Sequence, residues 1–455
     1  MREWSADRVA AAAGAELVSP GPDEAGGPAA VSIDSREAAP GVLFAGLPGT
    51  RVDGGEFAAG VLEAGAWGVL VSPGYADGLP AGRGAVLAAE NPTAALGRLA
   101  RAWRRELGAQ VIAVTGSTGK TSTKDILAAL VLPARRTVAS RANLNTEIGL
   151  PLQVLGAPEG TEVLVLELAM RGAGQIAELT EIAEPDIGVI VNVGPVHLEL
   201  LGSMEAIAAT KAELMAGLAP GATAIIPAGE PLLYPHRRAD LETLTFGPGG
   251  DAEVLASDGR EVRVALRGRE HSIEVSFSQP HQLTNLLAAL LAAQGVGVEP
   301  PASLEVPFSA GRGARVQGRG GVTVIDDCYN ANPMSMRAAL DDLAGHDGRR
   351  VAVLGDMLEL GPDERRFHEE IGAYAGERGV DILIAVGRQW EAMIDGYRRT
   401  PPPADLDPPA DREAHAATDA AAAAQLASRL VRPGDAVLVK ASRGLGLETV
   451  VEALV

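Results

Sequence analysis

The chain has 455 residues, of which 47% are hydrophobic and 22% charged, and its formal net charge is -20. That size and balance describe a soluble protein of about three domains, and the acidic excess argues against broad attachment to nucleic acid or an anionic membrane. A single cysteine, Cys328, excludes an internal disulfide and a cysteine-rich zinc site. The N-terminal stretch MREWSADRVAAAAGAEL is interrupted by Glu3, Asp7 and Glu16 and makes a poor signal peptide. No apolar run reaches the roughly 18 residues of a membrane span, so a cytoplasmic location is expected. Lysine stands only at Lys120, Lys124, Lys211 and Lys440; every other basic side chain is arginine. Arginine cannot replace a lysine that serves as a compact charge or a reactive amine, so each lysine merits inspection.

Residues 1–88 mix short strand-like runs, at 31–33 and 69–71, with Gly/Pro turns. A helix is predicted over 93–107, where Leu96, Leu99, Ala100 and Trp103 repeat at helical spacing. A second region opens with a buried-type strand at 111–114, a glycine loop and a helix over 120–131. Apolar runs at 163–166 and 187–193 read as strands, with a helix between them over 174–183, which predicts a parallel sheet covered on both faces. Alternation of Val262, Val264 and Leu266, then of Ile273, Val275 and Phe277, around Asp258-Gly259 and Arg267-Gly268 turns predicts an antiparallel β appendage. A helix returns over 282–294. The third region carries strands at 322–325, 351–354, 382–386 and 436–439 between helical segments, a doubly wound pattern. Residues 400–409 are proline-rich and read as an exposed loop. The expected fold is therefore α/β, with units over 1–88, 89–307 and 308–455.

The sharpest chemical signal is TGSTGKTS at 115–122. It follows a strand and opens a helix, so Gly116, Ser117, Thr118 and Gly119 can turn backbone N–H groups toward a phosphate at a helix N-terminus. Lys120 can reach the terminal phosphates, and the Thr121 hydroxyl, followed by Ser122, can ligate Mg²⁺. The common P-loop has glycine five residues before Gly119; Val114 stands there, so this loop is shorter. Glu167, at the carboxyl end of the 163–166 strand, is placed to hold magnesium beside the loop. His197, in NVGPVHLELLGS, lies at the same sheet edge, where it can ligate a metal or simply pack. Lys211, in TKAEL, sits on a helix of small and apolar residues, where a surface lysine is the plainer reading. His281 and Asn285 in PHQLTN share a helix face, with N-terminal capping the alternative. Asp326 and Asp327 end a strand in VIDDCYNANPMSM, suited to ribose hydroxyls, a metal or a cation, or to a turn. Cys328 reads as a small buried residue. Lys440, Ser442 and Arg443 in VLVKASRG end the last strand and suit a carboxylate or phosphate, or a charged surface.

The ordered set TGSTGKTS, ANLNTEIGLPL, LELAMRGAGQI, NVGPVHLELLGS, TKAEL, PHQLTN, DDCYNANPMSM, LGDMLELG and VKASRG resembles the Mur ligase superfamily, over nearly the whole chain. DDCYNANP and LGDMLELG point within it to the branch that adds D-alanyl-D-alanine to a UDP-N-acetylmuramoyl-tripeptide. Cys328 stands where that branch usually has serine. The ERxxH segment ending in His368 also fits. The resemblance implies a first domain for the UDP end of the substrate, a second for ATP and a Rossmann-like third that closes over the site. It implies amide synthesis through an acyl phosphate, in the making of peptidoglycan precursor, by a monomer. Magnesium would be held by Thr121 and Glu167, and a second ion by His197 and a carbamylated Lys211. His281, Asn285, Arg312, Asp327 and Asn330 become nucleotide contacts. Ser35 and Arg36 become contacts to the uridine diphosphate. Asn143, Asn145, Thr146 and Arg171 become contacts to the muramoyl end, and Lys440 and Arg443 candidates for the dipeptide or tripeptide carboxylate.

Another amide ligase of the superfamily, a P-loop small-molecule kinase and a silent nucleotide-binding regulator remain the competing readings. Contacts spread over three domains predict closure, with hinges near 88–92 and 307–311. Small-angle scattering should show a smaller radius of gyration with nucleotide and UDP-linked substrate present than without them; an unchanged curve would count against closure.

Overall fold

The computed structural model describes all residues except 2, 23–25, 142 and 402–411, so most of the proline-rich 400–409 stretch lies outside the described residues. Three sheets carry the fold. The first has five strands, ordered Glu16–Pro20, Ala85–Ala88, Gly68–Val71, Val42–Ala45 and Ala30–Ser32, parallel except for the first. Its two faces alternate along each strand. Phe44, Val69 and Val86 pack on the helix Ala58–Glu63, while Leu43, Leu70 and Leu87 face the helix Pro92–Leu107. That helix begins on an Asn91 side-chain cap with Pro92 in its first turn. Through Leu96, Leu99 and Trp103 it joins the first and central sheets in one core.

The central sheet has ten strands, ordered Ser303–Leu304, Arg269–Val275, Glu261–Leu266, Ala252–Asp258, Glu242–Phe246, Thr223–Pro227, Ile187–Ile190, Gln110–Thr115, Val163–Glu167 and Thr137–Ala139. The six from Glu242–Phe246 onward are parallel. In Gln110–Thr115, Val111 and Ala113 face one helical layer and Ile112 and Val114 the other, as a doubly covered strand requires. The antiparallel strands are no separate lobe: they continue the same sheet through one parallel pairing, Phe246 with Ala252. Phe277 falls beyond the strand Arg269–Val275. The predicted strand over 187–193 stops at Ile190. Beyond it the Val191 N–H still donates to the Thr115 carbonyl at 2.8 Å, and the Asn192 side chain holds the glycine loop.

The third sheet has six strands, ordered Ala314–Gln317, Thr323–Asp326, Ala436–Lys440, Arg350–Gly355, Ile382–Val386 and Glu413–Ala417, parallel except for the first. The edge strands Ala314–Gln317 and Glu413–Ala417 are too polar to stand out in the sequence. The last strand, Ala436–Lys440, sits between Thr323–Asp326 and Arg350–Gly355. Their carboxyl ends therefore form the crevice where a doubly wound sheet binds ligands.

The cores of this third unit are separate from that shared by the first two. Motion at 307–311 disturbs less packing than motion at 88–92. The linker is tied where it leaves the central unit. The Asp125 carboxylate, on the helix Lys120–Val131, accepts hydrogen bonds from the Ser309 backbone N–H at 2.9 Å and its hydroxyl at 3.3 Å, and pairs with Lys124 at 2.5 Å. Lys124 and Asp125 are both buried. Among the described residues no helix is long and apolar enough to cross a membrane. Asp125→Ala leaves Lys124 buried without its carboxylate, and a loss of about 3 kcal/mol or more is expected in denaturant unfolding.

Candidate active site

The carboxyl edge of the central sheet and the crevice of the third face each other across a cavity of about 900 Å³. The glycine loop forms its floor. Gly119 precedes the helix Lys120–Val131 at φ 78°, and a Cβ there would meet the Asn285 amide at 2.8 Å, so glycine is required twice over. Asn192 splints the loop. Its Oδ1 accepts from the Ser117 and Thr118 N–H groups at 3.1 and 3.0 Å, and its Nδ2 donates to the Thr118 carbonyl at 3.1 Å. The Ser117 hydroxyl donates to the Gly194 carbonyl at 3.0 Å and accepts from the Gly194 N–H at 2.8 Å.

Lys120 donates to the Gly116 carbonyl at 2.7 Å. Burial lowers its pKa, and neighbouring Arg312 lowers it further against the opposing pull of Glu167. The Thr121 hydroxyl donates to Glu167 Oε2 at 2.9 Å, and Asn145 Nδ2 donates to Oε1 at 2.9 Å. The Glu167 N–H is held in turn by the Ser140 hydroxyl at 3.0 Å. Glu167 is buried, so its carboxylate is fixed by hydrogen bonds rather than solvated.

Lys211 departs from the surface reading. It is 1% exposed, on the helix Met204–Gly217, with no hydrogen bond or ion pair among the described residues. Burial, and then the charge of Lys120, pushes its pKa well below the usual lysine range. His197 is felt by both lysines; burial also lowers its pKa, while a hydrogen bond to Glu359 opposes that.

From the third unit, Arg312 stacks on the Tyr329 ring at 3.9 Å and Arg443 lies over the same ring at 5.0 Å. Lys440 is 2% exposed and pairs with Asp327 Oδ2 at 2.6 Å, donating also to the Asn330 carbonyl at 3.0 Å. Lys440 therefore braces the 327–330 turn, and the free-cation cluster expected at the last strand's end is reduced to Arg443. Cys328 is buried, with its thiol donating to Asp326 at 2.7 Å, and burial pushes its pKa up.

The cavity wall includes Ser117 to Ser122, Asn145, Thr146, Glu167, Arg171, His197, His281, Asn285, Arg312, Asp327, Asn330 and Lys440. Gly116 and Lys211 sit just behind it. Ser35 and Arg36 lie apart, after the strand Ala30–Ser32, with Arg36 forked onto Asp34 and holding that carboxyl at about 2. Asn143 is exposed and off the wall, as is Arg443. Asn192, Tyr329 and Glu359 gain roles only in the structure, although each lies inside one of the sequence motifs. For Asn192 the sequence signal is a polar residue among apolar ones at the end of the 187–193 run.

Fold and cavity together define a P-loop protein of multidomain α/β architecture whose nucleotide-type site is completed by residues of the third unit. Mur ligase family models match in three stretches: the catalytic domain over 29–104, the middle domain over 114–293 and the glutamate ligase domain over 311–443. The chain is 38% identical to the UDP-N-acetylmuramoyl-tripeptide–D-alanyl-D-alanine ligase of Mycobacterium tuberculosis, covering 93% of this chain and 92% of that one. Among solved structures it superposes on MurF from Acinetobacter baumannii with a TM-score of 0.86 at 27% identity, covering 99% and 98% of the two chains. It superposes on MurF ligase from Thermotoga maritima in complex with ADP with a TM-score of 0.82 at 29% identity, covering 93% and 96%. The chain belongs to the Mur ligase family.

A buried amine without a partner is costly, so Lys211→Met should stabilise the fold by about 1–3 kcal/mol near neutral pH. The sign follows from the depressed folded-state pKa. At low pH the amine is charged in both states and the native state bears the full cost. Between the folded value and the unfolded value of 10.5 the unfolded chain binds more protons, so wild-type stability rises with pH. The advantage of Lys211→Met in thermal melts, run in CO₂-free buffer, should therefore shrink as pH approaches 10.5.

Proposed function

We propose that this chain is an ATP-dependent ligase that joins D-alanyl-D-alanine to UDP-N-acetylmuramoyl-tripeptide through an acyl phosphate, releasing ADP and phosphate. The observation that carries this reading is the meeting of Lys120, Thr121, Glu167, His197 and Lys211 behind and around one cavity, closed by Arg312, Asp327 and Asn330. The names of the relatives support the choice of acid and amine. Units over 1–88, 89–307 and 308–455 would take the UDP end, the nucleotide and the incoming amine side respectively. A UDP-linked, charged substrate suits the cytoplasm.

The chemistry explains the residues. A carboxylate is a poor electrophile because its leaving group would be oxide. Phosphorylation makes it reactive, provided the converging anions are neutralised. Backbone N–H groups of 116–122 and the dipole of the helix Lys120–Val131 cradle the phosphates, and Lys120, detached from the Gly116 carbonyl, turns its ammonium to the terminal phosphate. Asn285 and His281 hold the nucleotide from the helix Pro280–Gly295, and Arg312, stacked on Tyr329, holds it from the third unit. Asn145, Thr146 and Arg171 orient the acid. The amine then attacks the acyl carbon, and phosphate leaves from the tetrahedral intermediate.

The donor chemistry fits magnesium. Thr121 and Glu167 present two hard oxygens in hydrogen-bond contact, and Mg²⁺ takes one or two protein oxygens and fills its shell with water and phosphate. No cluster of three His, Cys, Asp or Glu residues occurs among the described residues, which this mode does not need. When bound, the ion neutralises charge on the transferred phosphoryl group. Lys211 fits carbamylation. Burial favours the neutral amine, which can attack CO₂, form an N–C bond as one C=O π bond opens, and lose one proton, turning a neutral amine into an oxygen-bearing anion beside His197. Arginine cannot do this.

Phosphate release should require the UDP-tripeptide and D-alanyl-D-alanine together; a kinase would release ADP with a stable acceptor and no amine. Lys120→Ala and Lys211→Arg should each lower turnover by at least about two orders of magnitude. Near-normal turnover in Lys211→Arg would exclude the carbamate.

A further inference from the structure

Outside the nucleotide machinery, one contact spans the two facing units through a loop that the ligase reading does not use. Glu359, in LGDMLELG, reaches from the third unit to the central one. One carboxylate oxygen contacts His197 Nδ1 and the other lies 3.7 Å from Arg171. The Glu359 carbonyl accepts from the Glu199 N–H at 3.4 Å. All three partners lie more than 150 residues earlier in the chain.

The loop that presents Glu359 is built to be stiff. The Met357 N–H donates to His368 Nε2 at 2.8 Å, while His368 Nδ1 donates to the Glu364 carbonyl at 2.7 Å. The Leu358 N–H donates to the Ser442 hydroxyl at 3.0 Å, and the Ser442 N–H to the Asp356 carbonyl at 3.1 Å. Buried Asp356 accepts from the Arg388 and Gln389 N–H groups at 2.8 and 3.0 Å. Glu359 itself adopts φ 63°, a left-handed conformation that a non-glycine residue keeps only when its surroundings impose it. Its partner His197 is likewise left-handed, at φ 53°.

We propose that Glu359 is a positioning residue that couples docking of the third unit to the orientation and tautomer of the His197 ring. A carboxylate only accepts, so in the neutral imidazole the ring proton sits on Nδ1 and Nε2 keeps its lone pair. A carboxylate behind a histidine is the arrangement that orients a metal-binding ring. When the third unit swings away, Glu359 leaves with it and the ring loses its partner. His197 thus becomes competent only when the cavity is closed, which ties the metal side of the site to the presence of both substrates. The inference rests on the ligand role proposed for His197.

The test reads the ring directly. Full-length protein with ¹⁵N-labelled histidine is saturated with a non-hydrolysable ATP analogue, the UDP-tripeptide and Mg²⁺, and the His197 signals are assigned by their loss in His197→Asn. Wild type should show the Nδ1–H tautomer, and Glu359→Ala a mixture. In the same variant kcat should fall about 10- to 100-fold and the Mg²⁺ requirement rise, with KM for ATP within about twofold. Glu359→Gln, whose carboxamide oxygen still accepts from Nδ1, should restore the tautomer and part of kcat. A His197 spectrum in Glu359→Ala matching wild type overturns the proposal, as does a Gln variant no better than Ala. If the alanine variant misfolds, Glu359→Asn, which tolerates the left-handed backbone, takes its place. Because the spectrum needs no turnover, a protein that forms no amide would sink the ligase reading and leave this coupling to be decided by the spectrum.

Discussion

The hydrogen bond from Thr121 to Glu167 joins the glycine loop to the neighbouring strand, and the geometry of the cavity depends on it. Thr121 stands in the first turn of the helix that follows one strand; Glu167 ends another. Their side chains meet because Gln110–Thr115 and Val163–Glu167 pair in register, with Val114 opposite Glu167. Asn145 takes the second carboxylate oxygen and Ser140 holds the backbone N–H, so the acid is held at a single orientation. It pulls electrostatically on Lys120 across the same cavity, so the oxygen it shares with Thr121 lies where a cation is favoured.

The two lysines answer the same logic from the other side. Burial makes it harder for both Lys120 and Lys211 to be charged; Arg312 adds to this for Lys120 and Lys120 for Lys211, within a chain of strongly negative net charge. Such an arrangement is destabilising by itself. It persists where the fold around it is over-determined: two helical layers cover the central sheet, and one apolar core runs from Trp4 through Trp103 to the central strands. Stability is drawn from that core, and the polar cluster at the sheet edge uses it.

The third unit contributes differently. Its cores are its own, its linker is anchored at Asp125, and it touches the central unit around the cavity rim through side chains and through the Glu359 carbonyl. A Cβ on Gly194 would lie 1.8 Å from Met334 Sδ, so the NVGP turn and the helix Pro333–Ala344 approach as closely as glycine permits. Contacts of this kind are made and broken together as a rigid body moves, which suits a site that has to admit large substrates and then exclude water.

Features written in short-range pattern were legible in the amino-acid order. The helix over 120–131 and the strand over 163–166 follow from an apolar run, a glycine turn and helical spacing within a few residues. The glycine loop is recognisable because its chemistry is local: backbone N–H groups, one helix terminus and one lysine. The order of motifs along the chain was enough to point to the family. What required the tertiary structure are the choices made by partners far apart. The burial of Lys211 is set by what packs over its helix, not by its small neighbours. The sequence offers Lys440 to a carboxylate or phosphate, or to a charged surface, and only the placement of the last strand between two earlier ones pairs it with Asp327. Ile187–Ile190 stops short of Asn192, whose side chain holds a loop more than seventy residues before it. The contact between Glu359 and His197 exists only once two independently packed units are brought face to face, since long-range electrostatic pairing leaves no periodic trace in sequence.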